Sequence, residues 1–430
     1  MRYSKISNRL FSKNRHKVAS ALQQGSLAIV HANDEMPRNG DQNYDYRQNS
    51  DFFYLTGIEQ EKSVLVLCPD HPQADLRAVL FLLKTSKELE IWEGHKLTKE
   101  EACEISGIRN VKWLDELNQF LHGLMLTHDD VYLNLNENPR FASDVPYRDL
   151  RFAHDLKKKY PLHRFQRLAP ILTNARVKKE EEEIALIREA CNITGKAFER
   201  VLKVTRPGIM EFEIEAEITH EYIVNRASGH AYHPIVASGI NACSLHYNEN
   251  KDKCEEGALL LMDFGAEYAN YSGDCSRTIP VSGKFSARQR ELYEATLRVF
   301  KQAREMLKPG ITINEYHKKV CQIWEEEHIK LGLYTRKDVE NQDPSTPMYS
   351  KYYMHGTSHF MGLDVHDVGS KSQPLEPGMV FSCEPGIYLP EEKTGIRLEN
   401  DILVTEGKPI DLMEHIPIEP DDIEKKMQRS

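Results

Sequence analysis

From Arg206 onward one pattern of segments occurs twice, and few architectures can accommodate such a chain. A helix-ending turn, Arg206-Pro207-Gly208-Ile209, precedes an amphipathic segment from Phe212 to Ser228-Gly229. The turn Leu307-Lys-Pro309-Gly310-Ile311 precedes a second such segment, Ile313 to Leu331-Gly332, and the Pro-Gly-Ile marks lie 102 residues apart. Each is followed by a histidine-containing, glycine-ended strand candidate, His230-Ala-Tyr-His233 to Gly239 and His355 to Gly362. These glycines are 123 residues apart, so the second copy carries about twenty extra residues, most naturally between Leu333 and Tyr353. Each copy then ends in a hairpin. The first runs from Leu259-Leu-Leu-Met-Asp263-Phe-Gly to Asp274-Cys-Ser-Arg-Thr, the second from Met379-Val-Phe-Ser-Cys-Glu384-Pro-Gly to Gly395-Ile-Arg-Leu-Glu399-Asn-Asp. The unit is helix, helix, hairpin, and it is duplicated.

Upstream, short apolar runs such as Val64-Leu-Val-Leu67, Val79-Leu-Phe-Leu-Leu83 and Val131-Tyr-Leu-Asn-Leu135 alternate with charged, helix-compatible stretches, the pattern of an α/β domain. The phrase Tyr46-Arg-Gln-Asn-Ser-Asp51-Phe-Phe-Tyr-Leu-Thr-Gly57 reads as a turn and strand. Near Thr173-Asn174 the pattern changes to an acid-started helix with Ile184, Ile187, Cys191, Phe198 and Leu202 on one face, which places an N-terminal α/β domain at 1–174 and an α+β domain at 175–430. The polar tail after Glu419 is expected to fray. At the other end the basic segment before Asp34 superficially resembles a transit peptide. Phe11, Val18 and Leu22 recur at near-helical spacing and lead into the strand-like Ser26-Leu-Ala-Ile-Val30, so a basic first helix is the better reading.

The net charge of -10 argues against nucleic acid, whose phosphates need a basic face, and favours small or peptide substrates. The eight cysteines form no C-x-x-C pair and suit a reducing compartment. No apolar run reaches the roughly 18 residues of a membrane span. A cytoplasmic protein is the default expectation.

Three histidines, His355, His359 and His366, fall within twelve residues among Gly356, Gly362 and Gly369, a density that core filling does not require. Imidazole alone names no chemistry. The hairpins supply its partners: Asp263 and Asp274 in the first, Glu384 and Glu399 in the second. Residues paired across antiparallel strands lie about 4.5 to 5.5 Å apart, close enough for the two carboxylates of a hairpin to share a cation. Taken singly, each acid is best read as a solvated turn residue. Taken together they are not, because Asp263 and Glu384 each follow an inward-pointing apolar run, and four buried anions need counter-charge. Divalent metal supplies it. Ligation by oxygen with one imidazole suits Mn²⁺ better than structural zinc, although Co²⁺ or Zn²⁺ fits the same cage.

Asp263, Asp274, His359, Glu384 and Glu399, with the phrases HGTSHFMGLDVHD, EPGIYLP and GIRLEND, resemble the five-ligand dinuclear centre of the pita-bread metallopeptidases, and within them the aminopeptidase P family. The resemblance covers nearly the whole chain, since YRQNSDFFYLTG is similar to that family's N-terminal domain. It implies that Asp263 chelates one of two divalent ions, that Asp274 and Glu399 bridge both, and that His359 with Glu384 completes the second. His246, His355 and His366 match family histidines that contact substrate or lie near the reacting carbonyl, and Arg397 matches an arginine beside the bridging glutamate.

The expected activity is removal of the first residue from peptides with proline second. In it His246 or His366 takes up oxyanion charge and Glu384 passes a proton to the proline nitrogen. The resemblance also implies a homo-oligomer, dimer or tetramer, with no nucleic-acid or membrane partner. Two rival readings share the fold: a prolidase restricted to dipeptides, and a metal-free pita-bread module that binds peptides without cutting them.

Overall fold

A computed structural model describes residues 2–428. Backbone contacts divide it into two compact units, Ser4–Arg176 and a second formed by the chain from Val177 onward together with Arg2 and Tyr3. Among the described residues no helix is long and apolar enough to cross a membrane.

The first unit is built on six strands, β1 (Ser26–His31), β2 (Val64–Leu67), β3 (Ala78–Leu82), β4 (Asn110–Trp113), β5 (Asp130–Leu133) and β6 (Arg164–Arg167), in the order β4-β3-β2-β1-β5-β6. β1 pairs antiparallel with β2 and parallel with β5, and all six of its residues are buried, with Leu27 to Val30 an unbroken apolar run. The basic start of the chain forms α1 (Asn8–Ala21), and Leu10, Phe11 and Val18 are buried. Part of its basic character is structural, since Arg15 donates to the Leu55 carbonyl at 2.7 Å.

Two sequence readings change here. The phrase around Asp51 forms a helix, α2 (Ser50–Thr56), where a turn and strand were expected. Asn49 caps it by accepting from the Asp51 and Phe52 amides, and Phe52 to Thr56 are buried on every side, which removes the alternation a half-exposed strand requires. The unit also runs two residues past Asn174, to Arg176 near the end of α3 (Ala169–Val177). The Ala175 carbonyl accepts from the Tyr54 hydroxyl, and Arg176 donates to Asp51 at 2.7 Å.

In the second unit the duplicated helices are α4 (Glu181–Val204) with α5 (Glu211–Val224), then α6 (Ala287–Met306) with α7 (Ile313–Lys330). Each pair turns at its Pro-Gly-Ile mark through a glycine in the left-handed region, Gly208 at φ 89° and Gly310 at φ 92°. The two glycine amides donate to equivalent carbonyls, Cys254 at 2.8 Å and Leu375 at 2.9 Å.

The strands are β7 (Ile235–Ser238), β8 (Leu259–Phe264), β9 (Ala266–Tyr268), β10 (Tyr271–Ser272) and β11 (Cys275–Pro280) in the first copy. The second copy has β12 (Val380–Cys383), β13 (Gly386–Leu389), β14 (Thr394–Arg397) and β15 (Asn400–Leu403). Each hairpin keeps one register from base to tip. Asp263 stands opposite Ser276 in the first, and the second brings Glu384 opposite Glu399 between the pairs Cys383 with Asn400 and Gly386 with Arg397. The expected direct pairing of Asp263 with Asp274 is therefore corrected. Asp274 lies two residues before Ser276, towards the hairpin tip and on the same face, the place that Arg397 takes in the second hairpin.

The segment from His355 to Gly362 is likewise not a regular strand. It runs beside β12, with Glu384 donating to Thr357, Ser382 to His359 and Met361 to Val380, but only Phe360 and Phe381 form a bridge. The tail does not fray at Glu419. It forms α8 (Pro420–Met427), which buries Ile423 and Met427.

Both hairpins require a glycine two residues after their first carboxylate. A Cβ on Gly265 would stand 1.8 Å from the Gly273 carbonyl oxygen, and one on Gly386 would stand 2.7 Å from the Tyr388 hydroxyl and 3.0 Å from the Ile396 carbonyl oxygen. Backbone cannot swing aside as a flexible side chain can. Gly265→Ala is expected to cost about 3 kcal/mol, at the upper end of ordinary overpacking, measured as a lowered midpoint of urea unfolding for this unit. A wild-type midpoint would contradict the close strand approach.

Candidate metal centre

The two hairpins meet along their return strands. The Glu399 amide donates to the Ser276 carbonyl at 3.1 Å and the Arg397 amide to the Thr278 hydroxyl at 3.2 Å. Behind this seam the fully buried Arg277 donates to the carbonyls of Ser276 and Glu399, at 3.0 and 2.8 Å, and to the Asn400 side chain at 2.8 Å. Its guanidinium satisfies backbone acceptors that close packing would otherwise strand without water.

On the other face the acids converge. Asp274, His359 and Glu399 offer ligand atoms that all lie within 4.8 Å of one another. His359 Nε2 is 3.3 Å from Asp274 and 3.8 Å from Glu384. Asp263 joins through the Tyr232 hydroxyl, which lies 2.6 Å from Asp263 and 2.5 Å from Asp274 and has one proton to share between them, and through Arg397, which donates to the other oxygen of Asp263 at 2.7 Å. Glu399 is tied to the first hairpin by the Ser276 hydroxyl at 2.7 Å, the same hydroxyl that accepts from Arg397 Nε at 2.8 Å. All five expected ligands therefore belong to one cluster.

The electrostatics is that of a site short of positive charge. Burial, reinforced by Asp274 and Glu384, holds the Glu399 carboxyl well above the ordinary range. Burial and Asp263 also raise Asp274, against the pull of its hydrogen bond from His359. Glu384 is pushed up to about 7 by burial, with His359 opposing and Asp274 adding to the rise. For His359 burial alone would lower the value, but the Asp274 hydrogen bond and the Glu384 charge outweigh it and lift the imidazole to about 9. These groups therefore hold protons more tightly than free carboxyls and a free imidazole do. The donors present, four carboxylates and an imidazole, match what hard and borderline divalent ions take.

Around these groups stand the expected catalytic residues. His355 Nε2 is 2.8 Å from the Tyr388 hydroxyl, and its Nδ1 is 3.7 Å from Glu384. Burial, helped by the Arg397 charge, drops His355 to about 3, so it is neutral at physiological pH. Arg397 Nη1 donates to the Tyr388 hydroxyl at 2.9 Å, so one guanidinium orients Asp263, Ser276 and Tyr388 together. The His366 ring meets His359 edge to face with centroids 4.5 Å apart.

His246 is exposed on the loop after the short turn Gly239–Cys243. Leu245 and Tyr247 on either side of it pack on Ile235, Ala237, Leu261 and Tyr388. The loop is held by the buried Glu211 carboxylate, which accepts from the Ser238 amide at 2.7 Å, Asn241 at 3.1 Å, the Tyr247 hydroxyl at 2.7 Å and the Asp252 amide at 2.9 Å.

Tyr232, Tyr388 and Ser276 were not singled out from the sequence. Tyr232 and Tyr388 lie inside phrases read for other residues, His230-Ala-Tyr-His233 and EPGIYLP. The only signal for Ser276 is its register opposite Asp263.

Comparison with known proteins agrees with this geometry. The model of metallopeptidase family M24 matches residues 185–406, and that of the aminopeptidase P N-terminal domain matches residues 11–132. The Xaa-Pro aminopeptidase of Escherichia coli is 36% identical over 99% of this chain and 98% of its own. Xaa-Pro aminopeptidase 3 of Homo sapiens is 28% identical over 96% of this chain and 85% of its own. Among solved structures, a zinc-substituted E. coli aminopeptidase P in complex with product superposes with a TM-score of 0.87, at 34% identity over 99% of both chains. The same enzyme with the inhibitor Pro-Leu also gives 0.87, at 36% identity over 99% of both chains. The chain belongs to metallopeptidase family M24 and, within it, to the aminopeptidase P family.

Proposed function

We propose that this chain hydrolyses the N-terminal Xaa-Pro bond of peptides and releases the first amino acid. The observation that carries the reading is the clustering of Asp274, Glu384 and Glu399 around His359, with Asp263 joined to Asp274 through Tyr232, and with carboxyls raised by burial and by one another's charge. Those five side chains would hold two divalent ions. Mn²⁺ is the proposed pair, on the oxygen-rich donor set, and Co²⁺ or Zn²⁺ is an alternative occupant. When bound, such ions polarise a carbonyl and lower the pKa of water. An Xaa-Pro bond has no amide hydrogen, so a dedicated site is required.

The remaining work falls to the chain's own groups. Arg397 locks Asp263 in place, and Tyr388 ties that arginine to His355, so ligand and catalytic histidine share one hydrogen-bonded frame. His355 stays neutral, and its Nδ1 side faces Glu384 Oε2, the oxygen not turned to His359, from which a proton can pass to the proline nitrogen. His366 and His246 are assigned to the oxyanion and to substrate contact. The eight free cysteines among the described residues support a reducing, cytoplasmic setting, and the family likeness implies a dimer or tetramer.

Asp274→Asn or Glu399→Gln is expected to abolish hydrolysis and lower bound metal while leaving the fold largely intact. An amide bridges two cations poorly, and its neutrality relieves carboxylate repulsion in the metal-free protein. Normal metal content with near wild-type activity in either variant would refute the dinuclear assignment.

Metal binding should also depend on pH in a fixed direction. Below about 6 both Glu384, raised to about 7, and His359, raised to about 9, carry protons that a metal must displace, and by pH 8 the first of these is gone. The rise in Tm on adding Mn²⁺ is therefore expected to be larger at pH 8 than at pH 5.5. An equal or smaller rise at pH 8 would show that these groups are not the ligands.

Substrate length separates the two peptidase readings. Xaa-Pro-Yaa peptides should be cut at Xaa-Pro with kcat/KM at least equal to that for the Xaa-Pro dipeptide, releasing Xaa and intact Pro-Yaa. Exchange of that proline for alanine should remove most activity. Mass spectra in which dipeptides disappear while longer Xaa-Pro peptides persist would make the enzyme a prolidase.

A further inference from the structure

We infer that Lys179 is a positioning residue that sets His366 in the site through a buried ion pair with Asp367. The inference rests on the assignment of His366 to catalysis made above. Lys179 Nζ lies 2.9 Å from Asp367 Oδ2, and each side chain is only 1% exposed. The two residues are 188 positions apart, so the pair joins the entry to α4 with the histidine-rich stretch.

Both partners are themselves anchored. The Lys179 amide donates to the Gly378 carbonyl at 2.8 Å, just ahead of β12, which fixes the root of its stem. The Asp367 amide donates to the Phe360 carbonyl at 2.9 Å, closing a turn that starts immediately after His359 and includes His366. The near side of that turn is pinned to the first hairpin, where the Ser272 amide donates to the Gly362 carbonyl at 2.9 Å. At Gly362 the turn lies directly on the ion pair. A Cβ there would stand 2.2 Å from Asp367 Oδ2 and 3.0 Å from Lys179 Cε.

Solvent-exposed pairs contribute little, but a buried one cannot lose a partner without leaving a charge in low dielectric. The turn is thus confined to the arrangement that satisfies this pair. That arrangement sets the His366 ring edge to face against His359, one residue upstream of Phe360. A shift of the turn would move His366 relative to the reacting carbonyl while leaving the carboxylate ligands on their hairpins.

The test compares full-length Lys179→Met, His366→Ala and the two combined, with added Mn²⁺ and an Xaa-Pro-Yaa peptide. Lys179→Met should lower kcat by about 10- to 100-fold, the usual effect of a small misplacement, with KM and metal per chain nearly unchanged. In the His366→Ala background it should lower kcat by less than twofold, while Tm falls in both backgrounds. Lys179→Met/Asp367→Leu, which removes both charges together, should recover Tm but not kcat, and it carries the test if the single variant does not fold.

Wild-type kcat in Lys179→Met or in that double variant would overturn the inference. So would a full multiplicative loss on top of His366→Ala, or loss of metal. A fully active His366→Ala would overturn the catalytic assignment and the inference together, whereas an impaired His366→Ala beside an active Lys179→Met would overturn the inference alone.

Discussion

Mutual repulsion among Asp263, Asp274, Glu384 and Glu399 is the constraint on which the rest of the catalytic unit depends. Asp274 and Glu399 are almost fully buried, at 4% and 1% exposure, and Arg397 and His359 are the cationic groups in contact with the cluster. Four carboxylates against two cations leave net negative charge in a region where it is expensive to hold. The raised carboxyls and the raised His359 express that shortage of positive charge. The scaffold tolerates this because Arg277 and the paired hairpins hold the backbone in place, so the charge shortage becomes affinity for cations.

Duplication explains how one chain assembles such a site. The hairpins share a register and a glycine after the first acid, yet they use the shared positions differently. Opposite the first acid stands Ser276 in one copy and Glu399 in the other. Two residues before that position stands Asp274 in one and Arg397 in the other. Serine and arginine fill the places where further carboxylates would overload the centre, and each bonds an acid of the opposite hairpin, Ser276 to Glu399 and Arg397 to Asp263. The same complementarity ties the proposed metal ligands to the proposed catalytic histidine, because Arg397 reaches Tyr388 and through it His355.

Much of this was legible in the sequence. Apolar runs ending in Asp263 and Glu384, the Pro-Gly-Ile marks and the dense histidines locate the hairpins and the centre, because strand period and turn chemistry are local properties. What escaped is what tertiary contacts decide. A composition of aromatics and polar residues does not reveal that Phe52 to Thr56 are buried all round, so α2 reads as a strand. Asp274 reads as the partner of Asp263 because a hairpin's register depends on its tip, which carries β9 and β10. Tyr232, Tyr388 and Lys179 have meaning only through partners 31 or more, 9 and 188 residues away, distances at which one sequence holds no visible signal.

On the proposed function, two divalent ions complete the charge balance of this cluster. The most direct measurement is a titration of chelator-stripped protein with Mn²⁺, following bound metal per chain alongside hydrolysis of an Xaa-Pro-Yaa peptide. Saturation is expected at two ions per chain, with full activity reached only as the second site fills. Saturation at one ion with full activity, or hydrolysis that persists in metal-free protein, would contradict it.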